Sequence, residues 1–181
     1  MIIKEVCTPG EWQLFRELLE EYASTLDFSL EFQSFSTEIT NLSCMYGRPY
    51  GVAILALENT AALGCVAYRQ RAPKICEMKR LFVRPAYRQQ GVARQLISRM
   101  MTIAKNDGYH VMRLDTVPSM TAAIHLYLSL GFHDIPAYYS NPVFGARFME
   151  ITLNHQKHDG YVISRQKFLD FSRDIQEIFR L

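Results

Sequence analysis

The segment RPAYRQQGVARQL, residues 84–96, constrains this chain more than any other. A strand-like run ending in LFV is broken by Arg84-Pro85, a short loop follows, and a helical stripe of Val92, Leu96, Met100 and Ile103 begins directly after Gly91. Inside a helix Gly is less favourable than Ala by roughly 0.8–1.0 kcal/mol, so a glycine at this point needs a reason. A strand that feeds a helix through such a loop leaves the first helical N–H groups without acceptors and places the positive end of the helix dipole there. That is a site for an anion. With no side chain at Gly91 and only a methyl at Ala93, a diphosphate can reach the main chain of Gln89, Gln90, Gly91, Val92, Ala93 and Arg94, while Arg88 or Arg94 adds a charged hydrogen bond. The plainer reading is that Gly91 only eases the chain into its helix. Short glycine patterns do not separate the two, so the order of elements around the loop must.

Hydrophobic period gives that order. Residues 1–6 form a short strand. Pro9 and Gly10 open a helix with Trp12, Phe15, Leu18, Leu19 and Tyr22 on one side, ending near residue 26. Residues 26–42 are rich in aromatics, contain a helix at 36–42, and supply candidates for a pocket wall. Residues 51–70 are a hairpin turning at Glu58-Asn59-Thr60. A strand at 74–83, the helix that stops at Asp107-Gly108, a strand at 110–117, and a helix through Ala123, Ile124, Tyr127 and Leu130 capped by Gly131 follow. The strand at 146–153 is the last before an appendix, residues 160–181, that carries Phe168, Phe171, Ile175 and Ile178 on one helical face.

The 181 residues suit one domain, and 49% hydrophobic with 21% charged residues is ordinary for a globular protein. A net charge of +2 does not predict nucleic-acid binding. No stretch approaches the roughly 18 apolar residues of a membrane span, and the start lacks a signal-peptide pattern. Cys7, Cys44, Cys65 and Cys76 form no CxxC, and buried thiols in a reducing compartment, the cytoplasm, are expected. The five histidines lack HExxH spacing, so no metal site is expected; GxSxG, Walker and GxGxxG patterns are absent as well.

Arg88, Gly91 and Ala93, in the pattern R-x-x-G-x-A directly after LFV, resemble the acyl-CoA pyrophosphate loop of the GNAT superfamily of N-acyltransferases. AAIHLYLSLGF, residues 122–132, resembles that family's A-x-x-L-Y-x-x-x-G-F helix and turn at the distance expected downstream, and the element order matches through about residue 153. The resemblance implies an α/β (α+β) fold: a mixed, mostly antiparallel central sheet flanked by helices, its central strands 74–83 and 110–117 splayed, with a C-terminal helical appendix. The acetyltransferase domain would be residues 1–154, and 155–181 an extension packing on the domain or on a partner subunit in a homodimer. It further implies acetyl-CoA as cofactor, pantetheine held by the main chain at Leu81, Phe82 and Val83, and the diphosphate held at 89–94. Where the family often has Asn, seven positions before the helical tyrosine, this chain has Met120, so a pantetheine or water contact is either missing or supplied by Ser119 or Thr121.

A protonated amine cannot attack a carbonyl, so a base or a water chain must take its proton. Glu77, eleven positions ahead of Arg88, resembles a catalytic glutamate of some family members; the alternative is an ion pair with Lys79 or Arg80. Asp115 is the reserve and a candidate for contact with the acceptor, with a structural role at the strand end as the favoured alternative. Tyr127 matches the family's tyrosine that hydrogen-bonds the CoA sulfur, whereas helix spacing alone reads it as a core aromatic. Tyr22, Phe28, Phe32, Tyr138 and Tyr139 are the expected acceptor pocket. The favoured expectation is acetyl transfer to a primary amine of a small molecule by direct attack. A protein or peptide amine is the lesser acceptor, and a non-catalytic acyl-CoA-binding module that regulates a partner is the competing class.

Overall fold

The computed structural model describes residues 1–153. The appendix, its packing and the homodimer it was expected to support lie outside them.

Helix α1 (Pro9–Ser24) starts at a reciprocal cap: the Thr8 side chain accepts from Glu11 N–H, and the Glu11 carboxylate accepts from Thr8 N–H. It buries Phe15, Leu18 and Leu19, as its stripe predicted. The aromatic segment departs from the expected single helix at 36–42. It forms one 3₁₀ turn (Glu31–Gln33), α2 (Phe35–Thr40) and α3 (Leu42–Tyr46). Asn41 makes the break, because its side-chain amide donates to the Thr37 carbonyl at 2.9 Å while its backbone leaves the helical region.

Among the described residues seven strands form one sheet in the order β1-β2-β3-β4-β5-β7-β6. They are β1 (Ile2–Glu5), β2 (Gly51–Glu58), β3 (Ala61–Ala72), β4 (Ile75–Val83), β5 (Val111–Thr116), β6 (His133–Ile135) and β7 (Arg147–Thr152). The short β6 was not anticipated. Only β4 and β5 run parallel; every other pair is antiparallel. Both faces are covered, so β2 reads as a continuous apolar run: Val52, Ile54 and Ala56 pack under α4 (Val92–Asn106) and α5 (Thr121–Ser129), while Ala53 and Leu55 pack under α1. The thiols divide: Cys65 and Cys76 are buried as expected, but Cys7 and Cys44 are exposed, lying at the mouth of α1 and on α3 rather than in a strand.

Two irregularities shape the site. Pairing of β4 with β5 stops at Glu77–Arg113, so the strands part beyond that point. In β4, Lys79 faces Ala67 and Phe82 faces Cys65, which leaves Arg80 and Leu81 opposite Val66 alone. This is a bulge, and Arg80 takes the left-handed φ of 60° there. One extra residue reverses the alternation: Cys76 and Met78 face α4, but beyond the bulge Phe82 faces α1 and Val83 faces α4.

Candidate active site

The loop after β4 delivers the open helix mouth that the sequence implied, although not as a glycine inside the helix. The helix begins at Val92, and Gly91 precedes it with φ of 79°, a left-handed conformation that glycine adopts without a Cβ penalty. Its presence is therefore explained by φ rather than by a helix-interior cost. Among the described residues an added Cβ would meet only Gln95 Nε2 at 3.9 Å, so none of them crowds this point. No side chain caps the helix, and the first backbone bond closing it runs from Gln95 N–H to the Gly91 carbonyl at 3.1 Å. The N–H groups of Val92, Ala93 and Arg94 thus remain open to a ligand. We expect Gly91→Ala to destabilise the fold by roughly 1–2 kcal/mol, the cost of a left-handed residue with a Cβ, and to weaken CoA binding. Melting curves and titration calorimetry check both.

A groove of about 910 Å³ runs from this mouth to the parting strands. Leu81, Phe82 and Val83 line it from β4; Arg88, Gln89, Gly91, Val92, Ala93 and Arg94 line it at the helix mouth; Ser119, Met120 and Thr121 line it from the start of α5. Of the expected cofactor contacts only Gln90 is absent from the lining, its amide turned back to donate to the Ala86 carbonyl at 3.0 Å. The two arginines are held in place: Arg88 Nε donates to the Val83 carbonyl at 3.0 Å, and Arg94 to Ser129 Oγ at 2.7 Å.

At the parting of β4 and β5 the groove meets a recess of about 70 Å³, with Tyr22, Leu81, Met120 and Ala123 lining both. Tyr22, Phe28 and Phe32 form its aromatic wall, and Asp115 and Tyr127 line it as well. The turn after α5 fixes Tyr127. Phe132 N–H bonds the Tyr127 carbonyl at 3.1 Å, Gly131 N–H bonds the Leu128 carbonyl at 3.0 Å with φ of 97° at the glycine, and the Phe132 ring lies 5.7 Å from that of Tyr127. The LGF turn is thus the clamp on the tyrosine. Burial pushes the Tyr127 phenol well above its usual range, so it stays protonated, and no hydrogen bond among the described residues occupies its hydroxyl. Thr116, 4% exposed, is among the residues lining the same recess, and its hydroxyl is shut from solvent and without a partner among the described residues. A buried hydroxyl left this way costs about 1–3 kcal/mol.

Asp115 is a hub. Lys79 donates to its Oδ1 at 2.8 Å, while Tyr139 at 2.5 Å, Asn141 at 3.1 Å and Gln33 at 3.2 Å donate to its Oδ2. Burial alone would raise the Asp115 pKa, but the Lys79 charge and the hydrogen bonds from Lys79 and Tyr139 outweigh it and hold the carboxyl below its usual value. A group depressed in this way contributes stability fully above about pH 4, and the contribution is lost as pH falls through the folded pKa. Asp115→Asn is expected to destabilise the protein by about 1–3 kcal/mol at pH 7, with the gap to wild type closing below about pH 4. A melting-temperature gap that stays constant from neutral to acidic pH would contradict this.

Glu77 is 1% exposed and does not line the recess. Its Oε2 takes Arg69 Nη2 at 2.9 Å and Nε at 3.0 Å; its Oε1 takes the Tyr138 hydroxyl at 2.9 Å and lies 3.7 Å from Lys79 Nζ. Tyr138 and Tyr139 likewise stand behind the recess rather than on its surface, holding Glu77 and Asp115. The expected alternative, Glu77 in an ion pair with Lys79, is present, but sequence reasoning missed Arg69, Gln33, Asn141, Thr116 and the buried Arg80–Glu38 pair. The signal available was charge inside strands that otherwise read as core.

The sheet is thus opened between two parallel strands, with an uncapped helix mouth at one end of the opening and an aromatic recess at the other. The chain belongs to the Acetyltransferase (GNAT) family, whose model matches residues 12–132. It is 34% identical to an uncharacterized N-acetyltransferase of Schizosaccharomyces pombe over 154 residues, 84% of this chain and 94% of that one. Its fold is similar to an acetyltransferase of the GNAT family from Staphylococcus aureus, with a TM-score of 0.71 at 18% identity over 84% of this chain and 99% of the other. It is also similar to an aminoglycoside 6'-N-acetyltransferase complexed with coenzyme A, with a TM-score of 0.66 at 14% identity over 85% and 98%. This is an N-acetyltransferase enzyme, and acetyl-CoA is its acyl donor. Among the described residues, no helix is long and apolar enough to cross a membrane.

Proposed function

We propose that the protein transfers an acetyl group from acetyl-CoA to a primary amine of a small molecule by direct attack, with the amine seated in the recess at the parting strands. The observation that carries this reading is the junction itself: groove and recess meet beside a buried tyrosine whose hydroxyl has no other partner among the described residues. Bound acetyl-CoA supplies the activated acyl group, so the acceptor nitrogen takes the acetyl carbon while the sulfur leaves with the bonding electrons.

The chain's own residues do the rest. The open N–H groups at 92–94, with Arg88 and Arg94 beside them, hold the diphosphate, and the unpaired edge of β4 at 81–83 receives the pantetheine amides as a further strand would. A main-chain N–H at the Leu81 bulge meets the charge developing on the acyl oxygen. Tyr127 donates a hydrogen bond to the sulfur. Water in the recess takes the amine proton; Glu77 acts one step behind it, keeping Lys79 and Tyr138 in place, and Asp115 orders the acceptor side through Gln33, Tyr139 and Asn141.

Tyr22, Phe28 and Phe32 suit a small acceptor with an apolar body, and the recess accommodates an amine head rather than a folded partner. Free thiols exposed at Cys7 and Cys44 suit a reducing compartment, the cytoplasm. The test is release of free CoA thiol when the protein and acetyl-CoA are mixed with small amines in one arm and with peptides bearing free N-termini in the other. Small amines are expected to give the higher kcat/KM; turnover confined to peptides overturns the acceptor class proposed here.

A further inference from the structure

Among the described residues, Thr116 is the one whose side-chain polar atom is both fully shut from solvent and without a partner. Its place is informative. Along β5 the fully buried positions are Met112, Leu114 and Thr116, and the first two pack in the same core as Tyr127, on the α4–α5 side of the sheet. Asp115, between them, points its carboxylate to the opposite side, toward Lys79 and Gln33. Thr116 is also three residues beyond Arg113, the last β5 position paired with β4, so it lies where the strands have parted. Thr116 and Tyr127, whose hydroxyls have no hydrogen-bond partner among the described residues, therefore line one recess whose other α5-side walls are Met120, Ala123 and Val117.

We propose that the Thr116 hydroxyl donates a hydrogen bond to the sulfur of bound CoA, so that the leaving group is met by two hydroxyls, from β5 and from α5. This rests on the acetyltransferase reading above. The acyl oxygen belongs to the β4 bulge across the opening, whereas Thr116 shares the side of Tyr127, which makes the sulfur the atom within its province. No proton leaves Thr116. The hydroxyl hydrogen-bonds the sulfur as the carbon–sulfur electron pair passes to it, and the amine proton goes to recess water.

The probes are CoA and desulfo-CoA, titrated into the wild-type protein, Thr116→Val and Thr116→Ser. Val keeps the shape and removes the hydroxyl; Ser keeps the hydroxyl. At about pH 9.5, above the ordinary thiol range near 8.5, Thr116→Val is expected to bind CoA roughly ten- to a hundred-fold more weakly than wild type, the span for losing one hydrogen bond to a charged atom. Desulfo-CoA affinity stays unchanged, and Thr116→Ser restores CoA affinity. The melting temperature of free Thr116→Val is not lowered, because an unpartnered hydroxyl has been exchanged for a methyl of similar shape. Equal loss for CoA and desulfo-CoA, or no loss for either, overturns the proposal, as does a Ser variant no better than Val. Wild-type protein that binds neither probe overturns the acetyltransferase reading instead, so the two failures are distinct.

Discussion

Replacing Tyr127 by Phe lowers the rate of thiol release by roughly 10²- to 10⁴-fold, the range for a positioned acid or donor, while CoA binding stays close to wild type. The argument is geometric before it is electronic. The Tyr127 ring is clamped by Phe132 through the left-handed turn at Gly131, so deleting one oxygen leaves the ring and the recess wall in place. Burial keeps the phenol protonated across the working pH range, so the wild-type side chain is always a donor. In the binding mode proposed above the diphosphate end of the cofactor sits at Gly91 and beyond, at the other end of the groove, so CoA binding is expected not to sense the change. A Phe variant that releases thiol at the wild-type rate removes Tyr127 from the mechanism. One that loses CoA affinity in proportion to rate assigns it to binding instead.

Glu38→Ala is expected to have the largest effect on stability. Glu38, 1% exposed, accepts from Arg80 Nε at 2.6 Å and from Arg80 Nη2, and the Tyr46 hydroxyl donates to it at 2.8 Å. The Arg80 guanidinium also lies over the Phe35 ring at 5.4 Å. This cluster ties α2 and α3 to the bulge in β4. Removing the carboxylate leaves a buried guanidinium and a buried phenol uncompensated, which costs about 3–5 kcal/mol and lowers the melting temperature by on the order of 10 °C. The companion Glu38→Leu/Arg80→Met recovers much of that loss, since replacing both members of a buried pair by apolar groups is often neutral. Because Arg80 is at the bulge beside Leu81, the double variant should fold and still transfer acetyl groups slowly. If Glu38→Ala melts within about 1 °C of wild type, the pair contributes little and the bulge is set by strand pairing alone.

The elements that were legible in the sequence are those fixed by neighbours along the chain. The stripes of α1, α4 and α5 were readable, because a helical face is a local period. So was the hairpin turn, where Asn59 has a φ of 52°. The helix mouth could be located from Arg84-Pro85 and Gly91. The segment at 26–46 was less readable, since three short pieces held by Asn41, the Asp115 hub and the Arg80 pair show no sustained period.

Glu77 shows the limit most clearly. Its position on β4 was evident, but whether its carboxylate faces the acceptor depends on Arg69 eight residues earlier, on Tyr138 sixty-one residues later, and on the place where β5 departs. The same holds for Thr116, whose spacing gives a strand residue and nothing more.

The sequence by itself determined the succession of strands and helices apart from β6 and the short pieces at 31–46, the open helix mouth, and the pairing of RQQGVA with LYLSLGF that points to an acyl-CoA enzyme. Tertiary structure alone decided which side chains face the opening, because one extra residue at Arg80–Leu81 reverses the alternation of β4 and ends the simple relation between position and face. It also decided which polar groups are already satisfied, as Asp115 and Glu77 are, and which remain available, as Tyr127 and Thr116 do. Hydrogen-bond satisfaction is a property of distant residues brought together, and no local pattern encodes it.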